Sequence, residues 1–201
     1  MILILDLNLG NLGSIQNMLK KIGFKSIISN NKKNLEEAKK IILPGVGSFD
    51  KGMQSLENLK IKNILRDKVL NQKIPLLGIC LGMQLLLQKS EEGKKKGLGF
   101  IQGKVIKFSN INLKVPHMGW NQVSIIKKTS LTKNISSKFK FYFVHSYHVE
   151  LKKTSETMMS TNYGKEFTSG LQSKNIFGVQ FHPEKSHKFG MEILKNFVKI
   201  K

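Results

Sequence analysis

Cysteine occurs once, at Cys80, in a chain of 201 residues. A lone thiol cannot close an internal disulfide. Nothing calls for an oxidising compartment, so a reduced cytoplasm is expected. Arginine is equally scarce: Arg66 is the only one among 34 basic residues. Just 13 acidic side chains oppose them, leaving a formal charge of +21. Such an excess can mark a nucleic-acid partner. Base reading and bidentate phosphate grip favour arginine, however. The lysines are scattered, with small clusters at Lys20-Lys21, Lys39-Lys40 and Lys94-Lys95-Lys96. A solvated lysine surface is the better account, and no nucleic acid is expected as a partner. Long hydrophobic runs are missing, which excludes a membrane-spanning helix. The opening "MILILDLN" lacks a basic segment and meets Asp6 too early for a signal peptide. Repeats, linkers and composition breaks are absent as well. With 40% hydrophobic residues, the chain is expected to form one domain over residues 1–201.

The first half alternates short strands with helical stretches. "MILIL" reads as a buried strand, "KSIIS" as a second, "AKKIILPG" as a third and "IPLLGIC" as a fourth. Between the first two, Leu12, Ile15, Leu19 and Ile22 recur at helical spacing, and Gly23 stops the helix. Helical material also precedes the fourth strand, and "GMQLLLQKS" reads as the helix after it. This alternation predicts an α/β fold with an open, largely parallel sheet and helices on both faces. The second half is richer in strands: "GFIQGKVIKF", "NQVSII", "KFYFVHSYHVEL", "TMMSTNY", "FTSGLQ" and "IFGVQF". They predict an antiparallel extension of the sheet. A last helix over about 186–199 buries Phe189, Ile193, Leu194, Phe197 and Val198.

The lone thiol sits in "GICLG", Gly78 to Gly82, where the fourth strand meets its helix. A strand joined directly to a helix by Gly-X-Cys-X-Gly is the thiol form of a nucleophile elbow. The turn is so sharp that its flanks must be nearly free of side chains, which Gly78 and Gly82 are. Cys80 would then stand at the carboxyl edge of the sheet, where open α/β folds bind ligands. Helix-end amides, that of Leu81 first, could hydrogen-bond an oxyanion. The other reading is a buried structural cysteine that acts as a small apolar residue.

A nucleophilic thiolate needs a base, and the base needs an orienting group. Of five histidines, His182 has the most distinctive setting, "GVQFHPEK". A buried strand ends there and Pro183 stops the ladder. Glu184, two residues on, projects to the same side in an extended segment. It can hold one imidazole nitrogen while the other faces Cys80. Cys80, His182 and Glu184 thus form a candidate triad. A strand-end histidine beside a solvated glutamate is the plain alternative. "PGVG", Pro44 to Gly47, offers glycines whose backbone amides could approach a developing O⁻, or else a simple turn. Gln84 lies one helical turn beyond Cys80, on the same face.

"GICLGMQ" and "VQFHPEKS" together resemble the class I glutamine amidotransferases. "LPGVGSFDKGM", "VPHMGWN" and "YFVHSYH" extend the likeness to the glutaminase subunits of imidazole glycerol phosphate synthases, over nearly the whole chain. The resemblance implies hydrolysis of L-glutamine to glutamate and ammonia, without metal or cofactor. The ammonia would pass to a (β/α)8-barrel cyclase held as a heterodimer, in histidine biosynthesis. It implies Cys80 as nucleophile, His182 as base and Glu184 as its orienter. Gly47 and Leu81 would serve the oxyanion. Gly45, Gln84, Ser146 and Tyr147 would bind substrate. Asn11, Trp120 and Lys185 would face the partner. One stretch departs from the family's usual pattern. Asp6 to Ser14 reads "DLNLGNLGS", with Leu7, Asn8 and Gly13 where that pattern has an aromatic residue, a glycine and an arginine. That motivates an alternative, a paralogous glutaminase feeding another ammonia acceptor such as a surface-sugar amidotransferase.

Overall fold

The computed structural model describes residues 1–109 and 113–200. Five short parallel strands form the centre of the main sheet. They are β1 (Ile2–Leu5), β2 (Ser26–Ser29), β3 (Lys40–Leu43), β4 (Leu76–Ile79) and β13 (Ile176–Val179), in the order β2-β1-β3-β4-β13. β1, β3, β4 and β13 are buried along nearly their whole length. Such strands need apolar side chains on both faces. β1 shows how two cores arise from one strand. Ile2 and Ile4 enter one cluster with α1 (Leu12–Lys21) and α6 (His187–Val198). Leu3 and Leu5 enter the other with α3 (Phe49–Asn58) and the helices α4 (Lys62–Arg66) and α5 (Leu81–Leu85).

Beyond β13 the sheet turns antiparallel, as the second half predicted. β12 (Lys165–Ser173), β10 (Tyr147–Leu151) and β6 (Gly103–Lys107) follow, and β5 (Lys89–Ser90) closes that edge. β11 (Thr157–Tyr163) pairs with β12 and with β8 (Ser124–Ile125). β7 (His117–Gln122) and β9 (Lys140–His145) make a separate antiparallel pair.

Three local differences from the sequence reading have physical causes. The helix after Cys80 ends at Leu85, not at Ser90, because the next carbonyls are taken by another segment. Leu85 O accepts from Leu98 N, Leu86 O from Ile101 N and Leu87 O from Gly99 N. A short helix, α2 (Lys32–Glu37), begins at Asn31, whose side chain accepts from Lys33 N. And "KFYFVHSYHVEL" is two strands, not one. The chain breaks at Ser146 and sends β9 and β10 into different sheets.

Candidate active site

Cys80 adopts φ 53° and ψ −111°, a positive-φ conformation that is costly for a residue with a side chain. The glycines on either side make it possible. A Cβ on Gly82 would stand 1.7 Å from Leu43 O, and one on Gly78 would stand 2.7 Å from Met83 N. β4 and β13 lie side by side with Ile79 opposite Val179, and Cys80 N donates to Val179 O at 2.8 Å. The continuation of β13 therefore passes the elbow, and it carries Gln180 and His182. His182 is held there by its own amide, which donates to Tyr142 O at 2.9 Å.

His182 and Glu184 are joined as expected, but by a 3-10 turn over Pro183–Lys185 that begins where Pro183 stops the strand, not by an extended segment. His182 Nδ1 and Glu184 Oε1 are 2.6 Å apart, with side chains only 2% and 7% exposed. That contact leaves Nε2 for the sulfur. Nε2 is buried and has no well-formed hydrogen bond, within electrostatic reach of Cys80. Burial works against a charged ring, but the Cys80 sulfur and the Glu184 carboxylate outweigh it. The His182 pKa is pushed up to about 10. The ring thus favours the imidazolium, ready to act as an acid.

Cys80 and His182 line one cavity of about 360 Å³, a size suited to a small molecule. Val46 and Gly47 form one rim, and Val144 to Tyr147 form another. Gly47 has φ +102° and is exposed. Leu81, the first residue of α5, also lines the cavity. α5 is five residues long, so any help to an oxyanion comes from its first amides more than from a long helix dipole. Gly45 lies behind the wall, where an added Cβ would meet Leu81 Cβ at 3.2 Å. Gln84 lines the cavity with Ser146 and Tyr147, and its Nε2 donates to Tyr147 O at 3.0 Å.

Two polar residues of this site are not singled out by the sequence reading. Glu92 is the only acidic side chain lining the cavity among the described residues. Its Oε2 accepts from Phe49 N at 2.8 Å, and so fastens the start of α3. Gln180 is fully buried. Its Oε1 accepts from Gln84 Nε2 at 3.1 Å, and its Nε2 donates to Cys80 Sγ at 3.7 Å. Strand alternation could have found it, because Gln180 stands two residues before His182 and shares its side.

The three expected interface residues are near the surface. Trp120 is 45% exposed, and it stacks on His187 with ring centroids 5.4 Å apart. Lys185 Nζ lies 5.4 Å from the Tyr142 ring centroid, while Tyr142 meets Trp120 edge-on. Trp120 and Lys185 thus converge on Tyr142. Asn11 is exposed and acts locally, capping α1 with a side chain that accepts from Ser14 N at 3.3 Å.

A glutamine amidotransferase class-I family model matches residues 3–200. The imidazole glycerol phosphate synthase subunit HisH 2 of Methanococcus maripaludis is 54% identical over 99% of both chains. The protein of the same name from Pseudomonas aeruginosa is 45% identical over the full length of both. The subunit HisH of Methanocaldococcus jannaschii is 48% identical, again over both full lengths. Among solved structures, PurLQS from Thermotoga maritima aligns with a TM-score of 0.75 at 18% identity, covering 98% of this chain and 96% of its own. A glutamine amidotransferase aligns at 0.74 with 17% identity, covering 98% and 97%. At those identities the structures speak for the fold.

Proposed function

The chain belongs to the class-I glutamine amidotransferase family, and from that premise we propose that it is the glutaminase subunit of an imidazole glycerol phosphate synthase, with Cys80, His182 and Glu184 as its triad. It hydrolyses L-glutamine, and the ammonia serves histidine biosynthesis. The observation that carries the triad is the sulfur on its strained elbow beside a buried, carboxylate-held imidazole.

The chemistry follows from the groups present. The Cys80 thiolate attacks the side-chain amide carbon of glutamine. The carbonyl oxygen becomes an oxyanion, met by backbone amides of Leu81 and Gly47. His182 gives its proton to the amide nitrogen, the C–N bond breaks and ammonia leaves. A thioester on Cys80 remains. His182, now neutral, takes a proton from water, whose oxygen attacks the thioester carbon. The C–S bond breaks, glutamate forms and the thiolate returns. Glu184 holds the ring in the required tautomer throughout. Glu92, on the cavity wall, supplies a carboxylate for the substrate's α-ammonium group. The backbone of Ser146 and Tyr147 takes the α-carboxylate, and Gln84, whose amide hydrogens go to Tyr147 O and Gln180 Oε1, holds that segment in place.

The partner is a (β/α)8-barrel cyclase bound as a heterodimer over the face that carries Trp120 and Lys185. A single catalytic thiol needs a reducing compartment, which suits the cytoplasm. Among the described residues no helix is long and apolar enough to cross a membrane.

A second reading keeps the chemistry and changes the acceptor. Two relatives are named HisH 2, a numeral that marks one of a numbered set, and the Asp6–Ser14 stretch departs from the usual pattern. Reconstitution decides between the two. The purified chain plus the cyclase of its own organism should make imidazole glycerol phosphate from glutamine. Activation by a different synthase alone would overturn the first reading.

A further inference from the structure

Two buried histidines beside the cavity take no part in the chemistry above. His117 on β7 and His145 on β9 stand directly opposite each other, 3% and 6% exposed. His117 Nδ1 and His145 Nε2 are 2.9 Å apart. His145 Nδ1 is 2.7 Å from Tyr147 O, the same carbonyl that accepts from Gln84. At the outer end, Asn121 Nδ2 is 3.2 Å from His117 Nε2.

The direction of these bonds can be worked out from either end. A carbonyl only accepts, so His145 Nδ1 carries a proton. In a neutral ring Nε2 must then accept, which makes His117 Nδ1 the donor. His117 Nε2 accepts in turn, and so Asn121 must present its NH₂ group. The outer end gives the same answer by itself. Asn121 Nδ2 donates to Asn162 O at 2.9 Å, and Asn121 Oδ1 accepts from Gln122 N at 2.8 Å. Those contacts fix the amide with its NH₂ toward His117. No member of the chain has a donor facing a donor.

The surroundings keep the rings neutral and still. His117 is stacked between Phe143, with centroids 4.8 Å apart, and Tyr163, at 4.0 Å. His145 lies 5.3 Å from both Phe108 and Phe167. Burial pushes the two histidines down to about 4 and about 3. From Tyr147 O the chain continues through Gln84 and Gln180 to the Cys80 sulfur.

We propose that Asn121, His117 and His145 are positioning residues: a one-directional hydrogen-bond chain fixes the Tyr147 carbonyl and, through Gln84 and Gln180, keeps the substrate end of the cavity in register with the sulfur. The role assigned to the cavity rests on the function proposed above. The chain of bonds itself does not.

The test has two arms. In the first, the full-length protein is labelled with ¹⁵N-histidine and its ring nitrogens are assigned by NMR. Both His117 and His145 should carry their proton on Nδ1, the form that free histidine populates less. A proton on Nε2 of either ring overturns the proposal, with no variant needed. In the second arm, glutaminase activity is measured in the complex with the cyclase. His145→Leu removes the donor to Tyr147 O, and KM for glutamine should rise about tenfold, the order of one lost buried hydrogen bond, while kcat moves less. His145→Asn puts an amide nitrogen where Nδ1 stood and should recover most of the loss. Equal damage by both, or an unchanged KM in His145→Leu, overturns the proposal. Should the unaltered complex fail to hydrolyse glutamine, the functional reading falls, and the ring-nitrogen spectrum still decides the hydrogen-bond chain.

Discussion

Glu184→Gln keeps the shape of the side chain and removes its charge. The neighbours of His182 lift its pKa from 6.5 to about 10, a gain for the imidazolium of about 5 kcal/mol. Burial opposes that gain, and Cys80 and Glu184 together supply it. A charge-assisted hydrogen bond such as the 2.6 Å contact to Glu184 is worth about 2 kcal/mol. The glutamine carbonyl can still accept from Nδ1, so the ring keeps its orientation and loses the electrostatic support. kcat/KM for glutamine in the partner complex should fall about 30-fold. The pH profile gives the sign a second check. Removing an anion destabilises the charged ring, the pKa falls, and the alkaline limb of kcat/KM should move about 1–2 units lower. Because the shift compares two proteins with one substrate, ionisation of glutamine cancels. Stability should fall too, because the buried imidazolium loses the carboxylate that offsets its desolvation, and an amide NH₂ would take the place of Glu184 Oε2, which is buried with no hydrogen-bond partner. The assay is glutamate release across a pH range of about 6–10, with thermal melting alongside. Activity within twofold of the parent and an unmoved alkaline limb would refute the assigned role of Glu184.

Other outcomes follow from the same structure. Cys80→Ala should abolish glutamine hydrolysis yet leave the cyclase reaction intact when ammonium is supplied, and loss of both would mean a structural cysteine. Cys80→Gly should raise stability by about 1 kcal/mol, since glycine tolerates the positive φ, and a drop in melting temperature would count against strain at the elbow. Glu92→Gln should raise KM for glutamine about tenfold with less effect on kcat, whereas an unchanged KM removes Glu92 from substrate recognition. Acid should destabilise the fold through three buried histidines. Burial pushes His117, His145 and His148 down to about 4, 3 and 4 from 6.5. Between pH 6.5 and about 4 the unfolded chain binds more protons, so stability falls as pH falls, by about 2 kcal/mol per histidine at pH 5. Urea midpoints that stay level between about pH 7.5 and pH 5 would contradict this.

Short-range geometry is what a sequence displays. The glycine pair around Cys80 announces a turn whatever surrounds it. His182 and Glu184 are close enough in sequence to announce a contact, although a 3-10 turn over Pro183–Lys185 makes it and not the extended chain the sequence reading expected. The central strands are apolar on both faces, which marks a covered sheet without any knowledge of strand order. What escapes depends on closure over long separations. Gln180 meets Gln84 across 96 positions, and Glu92 reaches Phe49 across 43. Nothing local to either residue signals its partner. β7 is hidden as a strand because its pattern runs against a core strand, with Met118 61% and Trp120 45% exposed while His117 is buried. The early end of α5 has the same origin, since its carbonyls are claimed by residues 98–101.

The site accordingly has a part carried by the parallel sheet and two rims beside it. Sulfur, imidazole and carboxylate stand at the ends of β4 and β13, neighbours in a fully buried parallel region of the sheet. Their register changes only if the sheet does. The turn at Val46–Gly47, with the amide proposed for the oxyanion, is exposed on one side of the cavity. The Ser146–Tyr147 segment on the other side is a strand break: Ser146 O accepts from Phe108 N at 3.2 Å and Tyr147 pairs with Lys107 at the start of β10, while the side chains of His145 and Gln84 hold the Tyr147 carbonyl. A small rearrangement of either segment would alter how the substrate carbonyl meets the thiolate while leaving the triad untouched. The strand that carries the exposed Trp120 also carries His117 and Asn121, the outer members of the chain of bonds that ends on the Tyr147 carbonyl.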